Sequence, residues 1–75
     1  MHKYTIILEY DPEAKSFAVT VPALPGCTSQ GDTIEEAITN AKEAIAGHIA
    51  TLKTLGEPVP EETERPQAIT IDVAA

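Results

Sequence analysis

The chain has no tryptophan and a single cysteine among its 75 residues. One cysteine cannot close an intramolecular disulfide, and Cys27 has no CxxC partner, which excludes a disulfide-stapled scaffold. His2 and His48 do not have the spacing of zinc ligands, so the sequence predicts no metal and no cofactor. A domain of this size has a small core and nothing visible to reinforce it. We therefore expect self-association into a dimer or tetramer.

Basic residues are also scarce, with 5 lysines and arginines against 12 aspartates and glutamates and a net charge of -7. Direct binding to nucleic acid needs a basic surface that neutralises phosphates, so we expect none. An acidic balance either keeps a small protein soluble or complements a basic partner, and composition leaves both readings open.

Long hydrophobic runs are absent, and none exceeds the three residues found at residues 6–8. Spanning a bilayer takes about 20 apolar residues, so the sequence predicts no contact with a membrane. The reduced thiol and the lack of a recognisable export signal indicate the cytoplasm.

Alternating apolar and polar residues predict the strands. Residues 3–10 and 17–21 alternate with period two, and the polar residues 11–16 between them predict an antiparallel hairpin. Residues 27–30 form a weaker third strand. Residues 68–73 alternate again and predict a last strand.

The central part of the chain predicts one long helix from Thr33 to Leu55, with apolar residues at three-four spacing. Thr33 and Glu36 match a capping box, in which the threonine hydroxyl accepts from the Glu36 amide and the glutamate reaches back to the Thr33 amide. Gly56 ends the helix and Pro58 prevents its return.

These elements predict an α+β domain of the order β-β-β-α-β. Three antiparallel strands form a meander, and one long helix covers one face of the sheet. Because a helical crossover favours parallel strands, the last strand is expected beside and parallel to the first, in the spatial order 3-2-1-4. The other face of the sheet would carry Thr5, Ile7, Glu9, Ala18, Thr20, Thr70 and Asp72.

The stretch PALPGCTSQGDTIEEA, residues 22–37, joins the second strand to the helix. Cys27 has no histidine nearby in the sequence, so we interpret it as a small buried hydrophobe rather than a nucleophile. Asp32 is interpreted as a helix-terminal residue rather than a metal ligand. The stretch is therefore read as architecture, without catalytic residues. Its structural positions are Pro22, Leu24, Pro25, Gly26, Cys27, Gly31, Asp32, Thr33 and Glu36.

Residues 21–45 resemble the N-terminal domain of the HicB-type antitoxins of bacterial type II toxin-antitoxin pairs. The match lies in P-x-L-P-G-C at residues 22–27, in G-D-T-x-E-E-A at residues 31–37 and in Asn40-Ala41. Residues 56–62 also look like the family's segment after the helix. The resemblance implies a partial RNase H-like fold, which agrees with the elements predicted above.

The resemblance also implies a partner. This would be a small basic HicA-like toxin, with a fold like that of double-stranded-RNA-binding domains, that cleaves messenger RNA using a histidine. The antitoxin would mask that active site. Many family members add a C-terminal helix-turn-helix or ribbon-helix-helix module. Because this sequence stops at Ala75, we expect a single domain over residues 1–75 without it.

Residues 57–67 hold three prolines and four glutamates and predict an extended, exposed connector. Its carboxylates are the candidate contacts for a basic toxin, and a merely solvated loop is the alternative. The candidates are Glu57, Glu61, Glu62 and Glu64.

Two other functions are compatible with the sequence. A metal-dependent nuclease would need converging carboxylates, for which Glu9 and Asp72 are candidates if the first and last strands pair. Fold analogy alone does not confer such activity, so the chain is not expected to be an enzyme. An orphan oligomeric scaffold or small-ligand module of the same fold is the alternative to an antitoxin.

Overall fold

A computed structural model describes residues 2–75 of the chain. Three strands, β1 (Ile7–Asp11), β2 (Ser16–Thr20) and β3 (Thr28–Gly31), precede a single helix, α1 (Ile34–Thr54). The strands pair antiparallel in the order β1-β2-β3, and α1 packs across β2 and β3. The predicted α+β meander covered by one long helix is confirmed.

The hairpin between β1 and β2 is closed by a side chain. The Asp11 carboxylate accepts hydrogen bonds from the amides of Glu13 at 3.0 Å and Ala14 at 3.3 Å, the usual role of aspartate in a turn. β1 begins at Ile7 rather than at residue 3 as predicted. Continuing the observed register would place Thr5 opposite Pro22, which has no amide to donate to the ladder.

The core lies between the sheet and the helix. Leu8 pairs with Val19 on the helix side, and Ile7 pairs with Thr20 on the open side, as the alternation predicts. Tyr10 falls on the same face by alternation and packs edge-on against Phe17, but it is 54% exposed. The buried hydrophobic residues are Val19, Val21, Leu24, Cys27, Ala37 and Ala41.

The loop that follows β2 folds inward. Leu24 is fully buried, its amide donates to Val21 O at 3.0 Å, and Cys27 N donates to Leu24 O at the same distance. Gly26 has a φ of 85°, which glycine adopts without steric cost. The loop therefore contributes a core residue as well as reversing the chain.

Both ends of α1 are capped by local chemistry. Thr33 is the N-cap and its hydroxyl accepts from the Glu36 amide at 3.1 Å. The second half of the predicted capping box is different, because the Glu36 carboxylate accepts from the Asp32 amide at 3.5 Å, one residue before the cap. At the other end, Gly56 N donates to Lys53 O and Glu57 N donates to Leu52 O, which is a Schellman motif.

The predicted fourth strand and the order 3-2-1-4 are not formed in this structure. Residues 68–75 pair with no strand of the sheet and are exposed throughout. Thr70 and Asp72 therefore do not lie on the open face of the sheet. The radius of gyration is 14.3 Å, against about 11 Å expected for a compact chain of this length. Alternation predicts a strand at residues 68–73, but a strand also needs a neighbour to pair with, and this segment has none among residues 2–75.

The close approach of Gly31 to α1 generates a stability prediction. A Cβ at Gly31 would lie 2.3 Å from the Ala37 amide nitrogen, whereas a Cβ at Gly47 would meet nothing within 4 Å. We expect Gly31→Ala to lower the free energy of unfolding by about 1–3 kcal/mol through overpacking. Gly47→Ala, the matched control, should raise it by up to about 1 kcal/mol, because alanine is the better helix former. Urea denaturation measures the free energy of unfolding of each variant. An unchanged midpoint for Gly31→Ala would contradict the close contact between Gly31 and the Ala37 backbone.

Candidate partner-binding surface

The acidic connector (residues 57–67) is fastened to the N-terminal segment of the chain. The Tyr4 hydroxyl donates to Pro60 O at 2.6 Å. The Thr5 amide donates to one carboxylate oxygen of Glu62 at 2.7 Å, and the Thr5 hydroxyl donates to the other at 2.8 Å. Glu62 therefore binds within the chain rather than pointing outward, in contrast to the exposed connector predicted from the sequence.

The surroundings of this contact also shift the pKa values of Glu62 and Tyr4. The Thr5 amide, followed by the Thr5 hydroxyl, lowers the pKa of the Glu62 carboxyl, and Arg65 contributes in the same direction. Partial burial raises the pKa of Tyr4, with a further contribution from the charge of Glu61. At neutral pH the neutral Tyr4 phenol donates to Pro60 O, and two neutral donors of Thr5 bind the ionised, half-buried Glu62 carboxylate.

The other three candidate contacts are exposed. Glu57 follows the glycine that closes α1, and Glu61 and Glu64 lie on either side of Glu62. The connector is held at two points, by the Schellman motif before it and by the Glu62–Thr5 contact in its middle. The structure thus presents Glu57, Glu61 and Glu64 on a segment whose path is fixed relative to the body of the domain.

An open groove of about 750 Å³ lies between the N-terminal segment and α1. Tyr4, Ile45 and Ile49 supply its apolar wall, and Lys3 and Lys42 supply positive charge. We call it the N-terminal groove. The sequence does not predict it, because residues 3–10 alternate like a regular strand and the crossing of the connector has no sequence signal.

The structure does not bring together the residues that a nuclease would need. Glu9 lies in β1, while Asp72 lies in the exposed C-terminal segment outside the sheet. Over residues 2–75, no group of three or more histidine, cysteine, aspartate or glutamate side chains is placed to hold a metal ion.

Cys27 is buried, and desolvation raises the pKa of its thiol. In the same range, no helix has the length and apolar character to cross a membrane.

The fold and surface define a small acidic α+β domain, and comparison with known proteins identifies its family. A sequence model described as "HicB_like antitoxin of bacterial toxin-antitoxin system" matches residues 4–71. The chain therefore belongs to the HicB-like antitoxin family, and the resemblance seen in the sequence is confirmed.

Relatives and solved structures agree with this assignment. A UPF0150 protein of Thermoplasma acidophilum is 47% identical over 60 residues, covering 80% of this chain and 86% of that protein. A UPF0150 protein of Synechocystis is 44% identical over 62 residues, covering 83% and 77%.

The fold is also similar to that of solved antitoxins. The crystal structure of the N-terminal domain of the Burkholderia pseudomallei antitoxin HicB aligns with a TM-score of 0.68 and 42% identity, over 85% of this chain and 72% of that one. The crystal structure of the Burkholderia pseudomallei antitoxin HicB aligns with a TM-score of 0.69 and 28% identity, over 99% and 75%.

Docking of the connector is predicted to depend on pH. A carboxyl whose pKa is lowered in the folded state stabilises that state above its unfolded pKa, and the stabilisation is lost as pH falls through the folded value. We therefore expect the Thr5 amide to be protected from hydrogen exchange at neutral pH and to lose protection below the ordinary glutamate pKa of about 4.3.

Variants at two adjacent positions test this contact. Glu62→Gln should weaken protection of the Thr5 amide at neutral pH and remove its acid dependence, because the amide side chain offers one acceptor oxygen instead of two. Glu61→Gln removes the same charge at the exposed neighbouring position. It should leave the protection of the Thr5 amide and the acid dependence of that protection unchanged. Equal protection of Thr5 in the two variants would show that Glu62 does not hold the connector.

Proposed function

We propose that this chain neutralises a small basic ribonuclease toxin by binding over its active site. The observation that carries the proposal is membership of a family described as antitoxins of toxin-antitoxin systems, over residues 4–71. In this proposal a single domain, residues 1–75, suffices for neutralisation. No catalysis and no DNA-binding module take part, and the protein acts in the cytoplasm, where its partner cleaves messenger RNA.

Charge complementarity supports a basic partner. A surface that attracts RNA phosphates also attracts carboxylates, so a chain with a net charge of -7 is drawn toward it at long range. The exposed carboxylates of Glu57, Glu61 and Glu64 then occupy the place of phosphates on the toxin. The body of the domain excludes RNA from the catalytic histidine by its bulk.

The fixed path of the connector supports these carboxylates as the contact. Association is weakened by the entropy of ordering flexible loops, and a loop already held in its bound path avoids much of that loss. The Glu62–Thr5 hydrogen bonds and the Tyr4–Pro60 hydrogen bond provide this ordering before the partner arrives. Glu62 thus contributes to toxin binding by positioning its neighbours, and its own carboxylate stays within the chain.

The N-terminal groove favours one alternative function, that of an orphan module that binds a small ligand without enzymatic activity. Its apolar wall and its lysines suit a small anionic molecule. A toxin gene adjacent to the gene for this chain would favour the antitoxin, whereas its absence, together with saturable binding of a small anion in the groove, would favour the orphan module.

Removal of the connector charges is predicted to slow toxin binding. Glu57→Gln, Glu61→Gln and Glu64→Gln together change the net charge from -7 to -4 (-7 + 3). We expect this variant to associate with the purified toxin more slowly and with a weaker dependence on salt, because screened charges act chiefly on the association rate. Stopped-flow or surface-binding kinetics at several ionic strengths measure both quantities.

A charge-matched control separates local contacts from net charge. Glu13→Gln, Glu35→Gln and Glu43→Gln make the same change, from -7 to -4 (-7 + 3), at exposed positions in the hairpin and on α1. This control should retain more of the association rate than the connector variant. An equal loss in both variants would limit the role of the connector to net charge, and a larger loss in the control would move the interface to the helix. If the unaltered chain and the toxin do not associate, the antitoxin proposal fails.

A further inference from the structure

A second cavity lies between the loop that follows β2 and the acidic connector. Pro22 and Ala23 form one wall, residues 61–66 form the other, and together they enclose about 370 Å³. We call this cavity the connector cleft. Its volume is at the lower end of the range for small-molecule pockets, so it accommodates one long side chain rather than a larger ligand.

Both walls of the connector cleft are held in place by hydrogen bonds. The Leu24 amide donates to Val21 O at 3.0 Å and closes the turn that carries the first wall. On the other side, Thr5 donates two hydrogen bonds to Glu62 and fixes the middle of the connector. Because both walls are ordered in advance, a partner that enters the cleft loses little affinity to the ordering of loops.

The apolar surface of the connector cleft comes from rigid residues. Pro22, Ala23 and Pro66 line it, and both prolines are exposed to solvent. A proline loses no side-chain rotamer freedom when it becomes buried. The methylene stem of a lysine or arginine packs along apolar surface of this kind while its charged end stays in a polar environment. The walls therefore suit the stem of a long basic side chain.

The polar lining of the connector cleft is negatively charged. Glu61, Glu62 and Glu64 supply three carboxylates and Arg65 supplies one guanidinium, which gives a formal charge of -2 (-3 + 1). The Glu62 carboxylate is already bonded to Thr5. Glu61 and Glu64 are exposed, so their carboxylates are the ones that can bind an incoming cation.

An arginine side chain suits this lining better than other cations. Over the part of the chain that the structure describes, residues 2–75, no group of three or more potential metal ligands is placed to hold a metal ion. A guanidinium is planar, offers five donors in a fixed arrangement, and is more weakly hydrated than the ammonium of lysine. Arginines seated in pockets are also among the residues that contribute most to protein interfaces.

We propose that the connector cleft receives an arginine side chain of the basic toxin. The guanidinium bonds to the carboxylates of Glu61 and Glu64, and the stem packs on Pro22 and Pro66. This inference rests on the proposed function, since it names the chemical group of the toxin that the connector binds. It goes beyond general charge attraction, because Glu57 does not line the cleft and takes no part in the contact.

A small guanidinium compound tests the cleft without the toxin. The probe is N-acetyl-arginine amide, added to the unaltered chain while backbone amide shifts are followed by NMR. We expect shifts confined to the amides of Ala23 and residues 61–65, smaller shifts with N-acetyl-lysine amide, and none with N-acetyl-citrulline amide, which has a similar shape and no charge. The absence of confined shifts with the arginine probe, or equal shifts with the neutral probe, would overturn the proposal.

Two pairs of matched variants test the cleft in the complex. Glu64→Gln and Glu57→Gln remove the same charge from exposed connector positions inside and outside the cleft. Pro66→Trp fills the cleft, and Pro58→Trp makes the same substitution at an exposed connector residue that does not line it. All four variants should keep the circular dichroism spectrum of the unaltered chain.

The Kd for the purified toxin distinguishes the members of each pair. Glu64→Gln and Pro66→Trp should raise it at least about tenfold, because a hydrogen bond between charged groups contributes that much. Glu57→Gln and Pro58→Trp should change it less than about threefold, as expected for an exposed site outside the contact. Equal changes within both pairs would overturn the proposal, although the chain would still be an antitoxin.

A double-mutant cycle identifies the toxin's arginine. Each arginine of the toxin is replaced in turn by alanine. One replacement should weaken binding to the unaltered chain but cause little further loss with Glu64→Gln, because both changes remove the same interaction. The same replacement should still weaken binding to Glu57→Gln. Additive losses for every arginine would overturn the proposal and leave the antitoxin function intact. Failure of the unaltered chain to bind the toxin would refute the antitoxin function itself and, with it, this assignment of the arginine to the toxin.

Discussion

The contact between the end of β3 and the first turn of α1 determines the rest of this architecture. Gly31 is buried against the backbone of Ala37, so the sheet and helix approach more closely than any residue with a Cβ would permit. The Gly31–Ala37 contact fixes the start of the helix, and the Asn40 side chain donates to Gln30 O in β3. Together these two contacts define the rotation of the helix about its axis. That rotation places Ala37 and Ala41 in the core. The composition of the core is therefore a consequence of how the helix begins.

A second long-range contact links the fold to its proposed function. Glu62 and Thr5 are separated by 57 positions in the sequence, and their hydrogen bonds hold the connector against the N-terminal segment. They keep Glu57, Glu61 and Glu64 exposed on a fixed path while using the carboxylate between them internally. One pair of residues thus fixes the path of the connector and leaves the carboxylates on either side of Glu62 exposed.

Local chemistry predicted most of the fold, and long-range contacts account for what it missed. The hairpin, the burial of Leu24 and both helix ends follow from residues within six positions of one another, as at Thr33–Glu36 and Leu52–Glu57. The resemblance to the HicB-like family rested on the same local motifs. The Glu62–Thr5 contact has no local signature, so the sequence alone predicts a connector that is not held. The alternation of residues 68–73 predicts a strand that the structure does not form, because a sequence pattern does not indicate whether a neighbouring edge is there to pair with it.

The exposure of the C-terminal tail bears on how long the protein survives in a cell. Proteases act on extended segments that lie outside the folded body, and the tail is such a segment in the lone chain. A protease that cleaves extended chain therefore meets residues 68–75 before the sheet or the helix. Cleavage there would leave the strands, α1 and the Glu62–Thr5 contact in place, so the folded domain would outlast its tail.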